Sequence, residues 1–168
     1  EFTGRSLAHR HRLYRHAIEN LVTMQAHGEK NRDGGCVAFH RAFDRELSLW
    51  EFNHYVEYGI EARHDLKVPA GDRAGMAQWF SQIARELDGI PKGFTHREYQ
   101  SRNLMFYGGD LFVIDFQDAL LGPPQYDLVA LLCDSYVSIG EEEAGALVDH
   151  YLRERKRAGI PLDAGAFR

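Results

Sequence analysis

The sequence predicts an α+β chain, mostly α-helical, with one small β-hairpin in its middle, three helices before the hairpin and two after it. Three observations carry that reading. Long segments on both sides of residues 91–125 repeat apolar residues at helical spacing. Only the middle holds short extended apolar runs, and these flank the pair Gly108-Gly109. Glycine or proline punctuates most of the joints. With 168 residues and 44% apolar content, the chain is long enough for one domain that buries about 70% of its unfolded surface.

Residues 6–27 read as a core helix, because Leu13, Ala17, Leu21 and Met24 recur at helical spacing, Ile18 and Val22 widen the stripe, and Gly28 is placed to end it. The polar stretch 27–35, with Asn31, Asp33 and paired glycines, reads as a surface loop. Asp44 is suited to cap a second helix. Its Leu49, Phe52, Val56 and Ile60 form one face and Phe43, Leu47 and Trp50 another, which predicts burial on both sides. Asp72 opens a third helix in which Met76, Trp79 or Phe80, Ile83 and Leu87 repeat, with Gly89 and Pro91 as its stop.

Phe94-Thr95 is a short extended piece, and residues 104–107 and 111–114 pair as the hairpin around Gly108, Gly109 and Asp110. Gly122-Pro123-Pro124 then breaks the chain, and residues 127–137 read as an apolar, largely buried helix. Ser138 and Glu141 have capping-box spacing for a last helix. It lines up Ala144, Leu147, Val148, Tyr151, Leu152 and Arg155 and closes at Gly159 and Pro161.

Several function classes are excluded by composition. Lys and Arg total 20 against 25 Asp and Glu, a net charge of −5, which argues against a general binder of nucleic acid or of an anionic membrane. The cluster Arg5, His9, Arg10, His11, Arg12, Arg15, His16 reads as a solvated helix face, since imidazoles at positions 9 and 11 do not share a face. The longest apolar run, 128–133, falls far short of the roughly 20 residues that span a bilayer. No basic segment followed by an apolar one marks a secretory signal at the start. Two cysteines, Cys36 and Cys133, are too few for a disulfide scaffold, so a reducing, cytoplasmic setting is expected. The chain begins Glu1-Phe2 where an open reading frame begins with Met, and a fragment is expected.

The chemistry concentrates in His96-Arg97-Glu98-Tyr99-Gln100-Ser101-Arg102-Asn103, the hairpin, and Ile114-Asp115-Phe116-Gln117-Asp118. Phosphoryl transfer to a hydroxyl needs a carboxylate near the attacking oxygen and oxygen ligands for a Mg2+ that bridges the phosphates. A loop entering a hairpin puts Glu98 beside Asn103, and the far strand returns Asp115 to the same open end, where Asn103 and Asp115 are placed to share a metal. A carboxylate at Asp127, opening an apolar helix, must be hydrogen-bonded or cap that helix.

These residues resemble the aminoglycoside phosphotransferase and choline kinase-like family, related to protein kinases, whose catalytic loop reads His-x-Asp-x-x-x-x-Asn before a hairpin and an Ile-Asp pair. The stretch from His96 through Met105, Ile114 through Ala119, Gly122-Pro123 and Tyr126-Asp127-Leu128 looks most like the cell-wall amino-sugar kinases. Those enzymes phosphorylate the anomeric hydroxyl of N-acetylmuramate and N-acetylglucosamine. The resemblance is dense over residues 94–137 and extends from residue 13 onward.

It implies ATP and Mg2+ as cofactors and a small-molecule sugar as substrate, with Asn103 and Asp115 as the Mg2+ ligands and Glu98 at the catalytic-base position. Asp127 then braces the catalytic loop, His96 has a structural role there, and Asp118 is either a second site carboxylate or a turn partner. Acceptors in the family bind between the catalytic loop and the helices of this lobe, which makes Asp44, Glu46, Trp50 and Glu51 candidates, with Trp50 the better fit as core filler. The family's β-rich N-terminal lobe, with its phosphate loop and strand lysine, has no counterpart. Lys30, Lys67, Lys92 and Lys156 all lie outside any apolar strand pattern, so residues 1–168 read as the C-terminal lobe alone.

Glu98 stands where the family has Asp. The extra methylene moves the carboxylate by about 1 Å, a misplacement that can cost roughly 100-fold in rate. Two alternatives follow from these departures: an aminoglycoside or other small-alcohol kinase, and an inactive kinase-like binding module. Loss of the partner lobe also predicts an exposed apolar face and self-association.

Overall fold

The apolar stripe near the start becomes the axis of the core. The computed structural model of the protein describes residues 7–32 and 35–162, so Glu1, Phe2 and Arg5, together with Asp33 of the expected loop, lie outside the described residues. Helix α1, Leu7–Lys30, buries Leu13, Tyr14, Ala17, Ile18, Leu21 and Val22. They meet Tyr99, Leu104, Leu111, Leu128, Leu131, Val137, Leu147 and Tyr151 in one cluster. Each such large side chain contributes about 1.5–3 kcal/mol on burial. The helix does not stop at Gly28. A Cβ there would lie 2.4 Å from Cβ of Phe94, so this glycine permits close packing against strand β1, Gly93–Thr95.

Helix α2, Arg45–His54, starts as expected, with the Asp44 carboxylate accepting the N–H of Leu47 at 2.9 Å. It runs on into an eight-residue π-helical segment, Tyr55–Ala62. Burial on both sides does not occur. Among the described residues its apolar side chains pack chiefly against helix α3, Ala70–Asp88, where Phe52 and Phe80 stack with centroids 5.0 Å apart. Trp50 is 58% exposed and stacks on His54, so it is not core filler. Helix α3 begins after Pro69, two residues before Asp72, which sits in its first turn. Of the two aromatic choices Phe80 turns inward while Trp79 stays in solvent.

Strands β2, Leu104–Tyr107, and β3, Asp110–Val113, form the hairpin with Leu104 opposite Val113 and Tyr107 opposite Asp110. Gly108 and Gly109 have φ of 63° and 97°, the left-handed conformations a two-residue hairpin turn requires. Asp110 therefore belongs to the strand and Ile114 leaves it, one residue earlier than the spacing suggested. Strand β4, Leu120–Gly122, was not evident in the sequence; it pairs antiparallel with β1 and gives a second two-stranded sheet.

Helix α4 covers only Tyr126–Leu132. The chain turns away because the Asp134 carboxylate accepts the N–H groups of Ser101, at 2.8 Å, and Tyr136, at 2.9 Å. Helix α5, Glu141–Arg157, lies along α1. Gly140 is its N-cap with no side-chain cap, so the Ser138–Glu141 box does not form. Glu141, Glu142 and Glu143 instead complement the helix dipole in the first turn, and Arg155, Lys156 and Arg157 do so in the last. No described helix is long and apolar enough to cross a membrane. Both Cys36 and Cys133 are free thiols.

Candidate functional site

Two short sheets suspend two loops between them. Residues 96–103 run from β1 to β2, and residues 114–119 run from β3 back to β4, so both segments are fixed at each end by the same two strand pairs. The backbone bond from Ile114 N–H to the Asn103 carbonyl, 3.0 Å, joins them. This connectivity brings together Glu98, Asn103 and Asp115.

Asp127, fully buried at the start of α4, holds the first loop. Its Oδ2 accepts the N–H of His96 at 2.7 Å and its Oδ1 that of Arg97 at 2.9 Å. Burial pushes its carboxyl up to about 7, while the two N–H bonds pull the other way and the Glu98 charge adds to the rise. Arg97 has a φ of 75°, a left-handed conformation that costs a non-glycine residue about 1–3 kcal/mol. The Asp127 bond offsets that strain. So does the Arg97 side chain, which pairs with the Glu51 carboxylate and lies over the Phe43 ring. Glu51 thus anchors the loop.

His96 is buried, and its Nδ1 accepts the N–H of Glu98 at 3.3 Å, which places the imidazole proton on Nε2. Burial lowers its pKa, with the Asp115 charge opposing. Tyr99 is also fully buried; its hydroxyl donates to the Ala17 carbonyl at 2.7 Å and ties the loop to α1, and burial pushes the phenol pKa far up. Glu98 is half-buried. Its carboxylate Oε2 accepts from Gln100 Nε2 at 2.9 Å, and its backbone carbonyl accepts from Asn103 Nδ2 at 2.8 Å. The same Asn103 amide lies 3.4 Å from Asp115 Oδ2, and Gln117 Nε2 donates to Asp115 Oδ1 at 2.8 Å. Asp115 is itself left-handed, with φ of 70°.

The remaining candidates lie apart from this cluster. Asp118 faces Arg41 at 3.8 Å. Asp44 caps α2, Glu46 sits in its exposed first turn, and Trp50 joins an aromatic ladder with His54 and Tyr58. Sequence spacing missed Tyr99, Asp134, Gln117 and the Arg97–Glu51 pair, whose partners are brought near only by the fold.

Glu98 opens onto a cavity of about 640 Å3, lined also by Arg97, Gln100, Gln125 and Tyr126 and walled by apolar side chains of α3 and α4. A second cavity of about 310 Å3 lies across His96, beside Phe116 and Gln117. Among the described residues no three His, Cys, Asp or Glu side chains form a metal cluster. An amide from Asn103 and a carboxylate from Asp115 nevertheless suit Mg2+, which takes one or two protein oxygens and completes its shell from phosphate and water.

Comparison with known proteins agrees with the sequence resemblance. An N-acetylmuramate/N-acetylglucosamine kinase of Neisseria meningitidis is 34% identical over 146 residues, which are 87% of this chain and 42% of that relative. Kinases of the same description are 44% identical over 72 residues in Pseudomonas aeruginosa, covering 43% of this chain and 21% of that one, and 29% identical over 154 residues in Caulobacter vibrioides, covering 79% and 41%. The chain spans less than half the length of these curated relatives. The profile of the phosphotransferase enzyme family matches residues 2–161. With that match over nearly its whole length, the chain belongs to the phosphotransferase enzyme family.

Proposed function

We propose that this chain is the C-terminal, catalytic lobe of a cytoplasmic ATP-dependent kinase that phosphorylates a hydroxyl of an amino sugar such as N-acetylmuramate or N-acetylglucosamine. The observation that carries the reading is the convergence on Asn103: its amide meets both the backbone of Glu98, a residue that itself lines a cavity of about 640 Å3, and the Asp115 carboxylate. The names of the three relatives support a sugar acceptor. In this reading the rest of the nucleotide site is supplied by a β-rich lobe outside this chain.

Asn103 and Asp115 would hold Mg2+, which when bound would neutralise charge developing on the phosphates. Gln100 fixes one Glu98 oxygen, leaving Oε1 as the acceptor for the proton of the attacking hydroxyl. The hydroxyl oxygen bonds to the γ-phosphorus, its proton passes to Glu98, and ADP leaves with the electron pair of the broken P–O bond. Asp127 keeps the loop in register through its two N–H bonds, so that Glu98 stays within reach.

The test is ATP-dependent phosphorylation of N-acetylglucosamine by the full-length protein, compared with Asp115→Ala and Glu98→Gln. Each variant is expected to lose about 100-fold or more in kcat. Undiminished turnover in Asp115→Ala would sink the metal assignment, and failure of the parent and of Glu98→Asp to turn over any amino sugar would favour the inactive binding module. Calorimetric titration of Mg2+ and ATP into this chain complements it. Binding near the micromolar range, about −8 kcal/mol, that vanishes in Asp115→Ala would mean this chain holds a competent nucleotide site by itself, and no binding would mean that nucleotide capture needs the other lobe.

A further inference from the structure

Asn103 closes a helical turn of only three residues, Ser101–Asn103, held by the bond from the Leu104 N–H to the Ser101 carbonyl. A turn this short has little stability of its own. Gln100, which precedes it, offers no side-chain cap. The missing cap comes from 33 positions further along the chain, where Oδ2 of Asp134 accepts the N–H of Ser101 at 2.8 Å. The other oxygen of Asp134 accepts the N–H of Tyr136 at 2.9 Å, and Tyr136 reaches back to the same turn. The Arg102 guanidinium lies over its ring, 4.0 Å from the centroid, and donates to its hydroxyl at 3.0 Å. Residues 134–136 therefore clasp the two residues immediately before Asn103, Ser101 by its backbone and Arg102 by its side chain.

The Asn103 side chain directs Nδ2 toward the Glu98 carbonyl and the Asp115 carboxylate, which makes Oδ1 the atom offered to a cation. Mg2+ demands near-ideal octahedral geometry, so a small rotation of the turn is felt first at the metal. We propose that Asp134 and Tyr136 are positioning residues for metal capture, holding the Ser101–Asn103 turn so that Asn103 Oδ1 faces the cation together with Asp115. The loop is then braced at both ends: Asp127 holds its start, from which Glu98 projects, and the clasp holds its finish, which carries Asn103. The inference rests on the Mg2+ role given to Asn103 in the proposed function.

The experiment takes two readings on the full-length protein. Deuterium uptake without nucleotide or metal reads the clasp directly. In Asp134→Ala, which removes both acceptors, uptake across Ser101–Asn103 is expected to quicken by about 10-fold, while the His96 and Arg97 amides, held by Asp127, keep the parent rates. Phosphorylation of N-acetylglucosamine at varied Mg2+ reads the consequence. The Mg2+ concentration for half-maximal rate is expected to rise by about 10-fold, with the KM for the sugar unchanged and most of kcat restored by excess Mg2+. Tyr136→Ala, at a side chain 50% exposed and so little threat to folding, is expected to move both readings the same way by about 3-fold. Unchanged uptake across Ser101–Asn103 in both variants overturns the clasp, and so does a quickening spread equally over His96 and Arg97, which marks a general loss of stability. Local quickening with an unchanged Mg2+ requirement overturns the metal-positioning role and leaves the kinase reading standing. A parent that turns over no amino sugar overturns the kinase reading, and the metal-positioning role with it.

Discussion

Asp127 commits both carboxylate oxygens to two successive backbone N–H groups, and no other side-chain type of its size can do so. In Asp127→Asn one of those donors would face an NH2 group, and a loss of about 1–3 kcal/mol is expected in urea unfolding. An unchanged midpoint would refute that role. His96 makes a prediction of opposite dependence on acid. Burial lowers its folded pKa below the ordinary value of 6.5, so below that pH the unfolded chain takes up the proton first. Its contribution is present above pH 6.5 and is lost as pH falls toward the folded pKa. The drop in stability between pH 7.5 and 5.5 is therefore expected to be smaller in His96→Gln than in the parent, and equal drops would contradict it. The variant comparison matters because Asp127, raised by burial, favours the folded state as pH falls through the same window. At this scale Asp127 was legible, since a carboxylate opening an apolar helix demands partners. The Arg97–Glu51 and Ser101–Asp134 pairs were not, because contacts between residues 46 and 33 positions apart leave no spacing signal.

Among the elements, the hairpin was readable because Gly108-Gly109 admits only a tight turn. Substituting Gly109→Ala forces a Cβ onto a residue with φ of 97°, and a loss of about 1–2 kcal/mol is expected in a thermal or urea melt. A neutral effect would mean the turn is not held in that geometry. Strand β4 was illegible for the converse reason: three residues ending at Gly122 and followed by two prolines show no alternation, and only pairing with β1 makes them a strand. The two-faced pattern of α2 misled because apolar residues on a helix declare a preference for burial without supplying a partner. With α3 on one side only, Trp50 remained outside.

Across the whole molecule, the described surface retains much apolar area. Met105, Tyr107 and Phe112 of the hairpin, with Ile114 and Phe116 beyond it, are all exposed. Exposed apolar side chains in such number favour association. The isolated chain is expected to self-associate in light scattering as concentration rises, and a clean monomer at high concentration would contradict this. The fold class followed from composition and periodicity, whereas the pairing of two sheets that frames the site is a long-range arrangement visible only in three dimensions.

Both site segments span the same gap between the β1–β4 and β2–β3 pairs; side chains anchor 96–103, whereas the placement of 114–119 depends chiefly on its length. Tolerance of insertion should therefore be sharply local. An added residue at Gly108-Gly109 lengthens a tip that points away from the gap, while one added within 114–119 lets Asp115 drift from Asn103 with every strand still paired. Lineages of this chain can thus be expected to vary in length at the hairpin tip and to hold the count between Val113 and Leu120 constant.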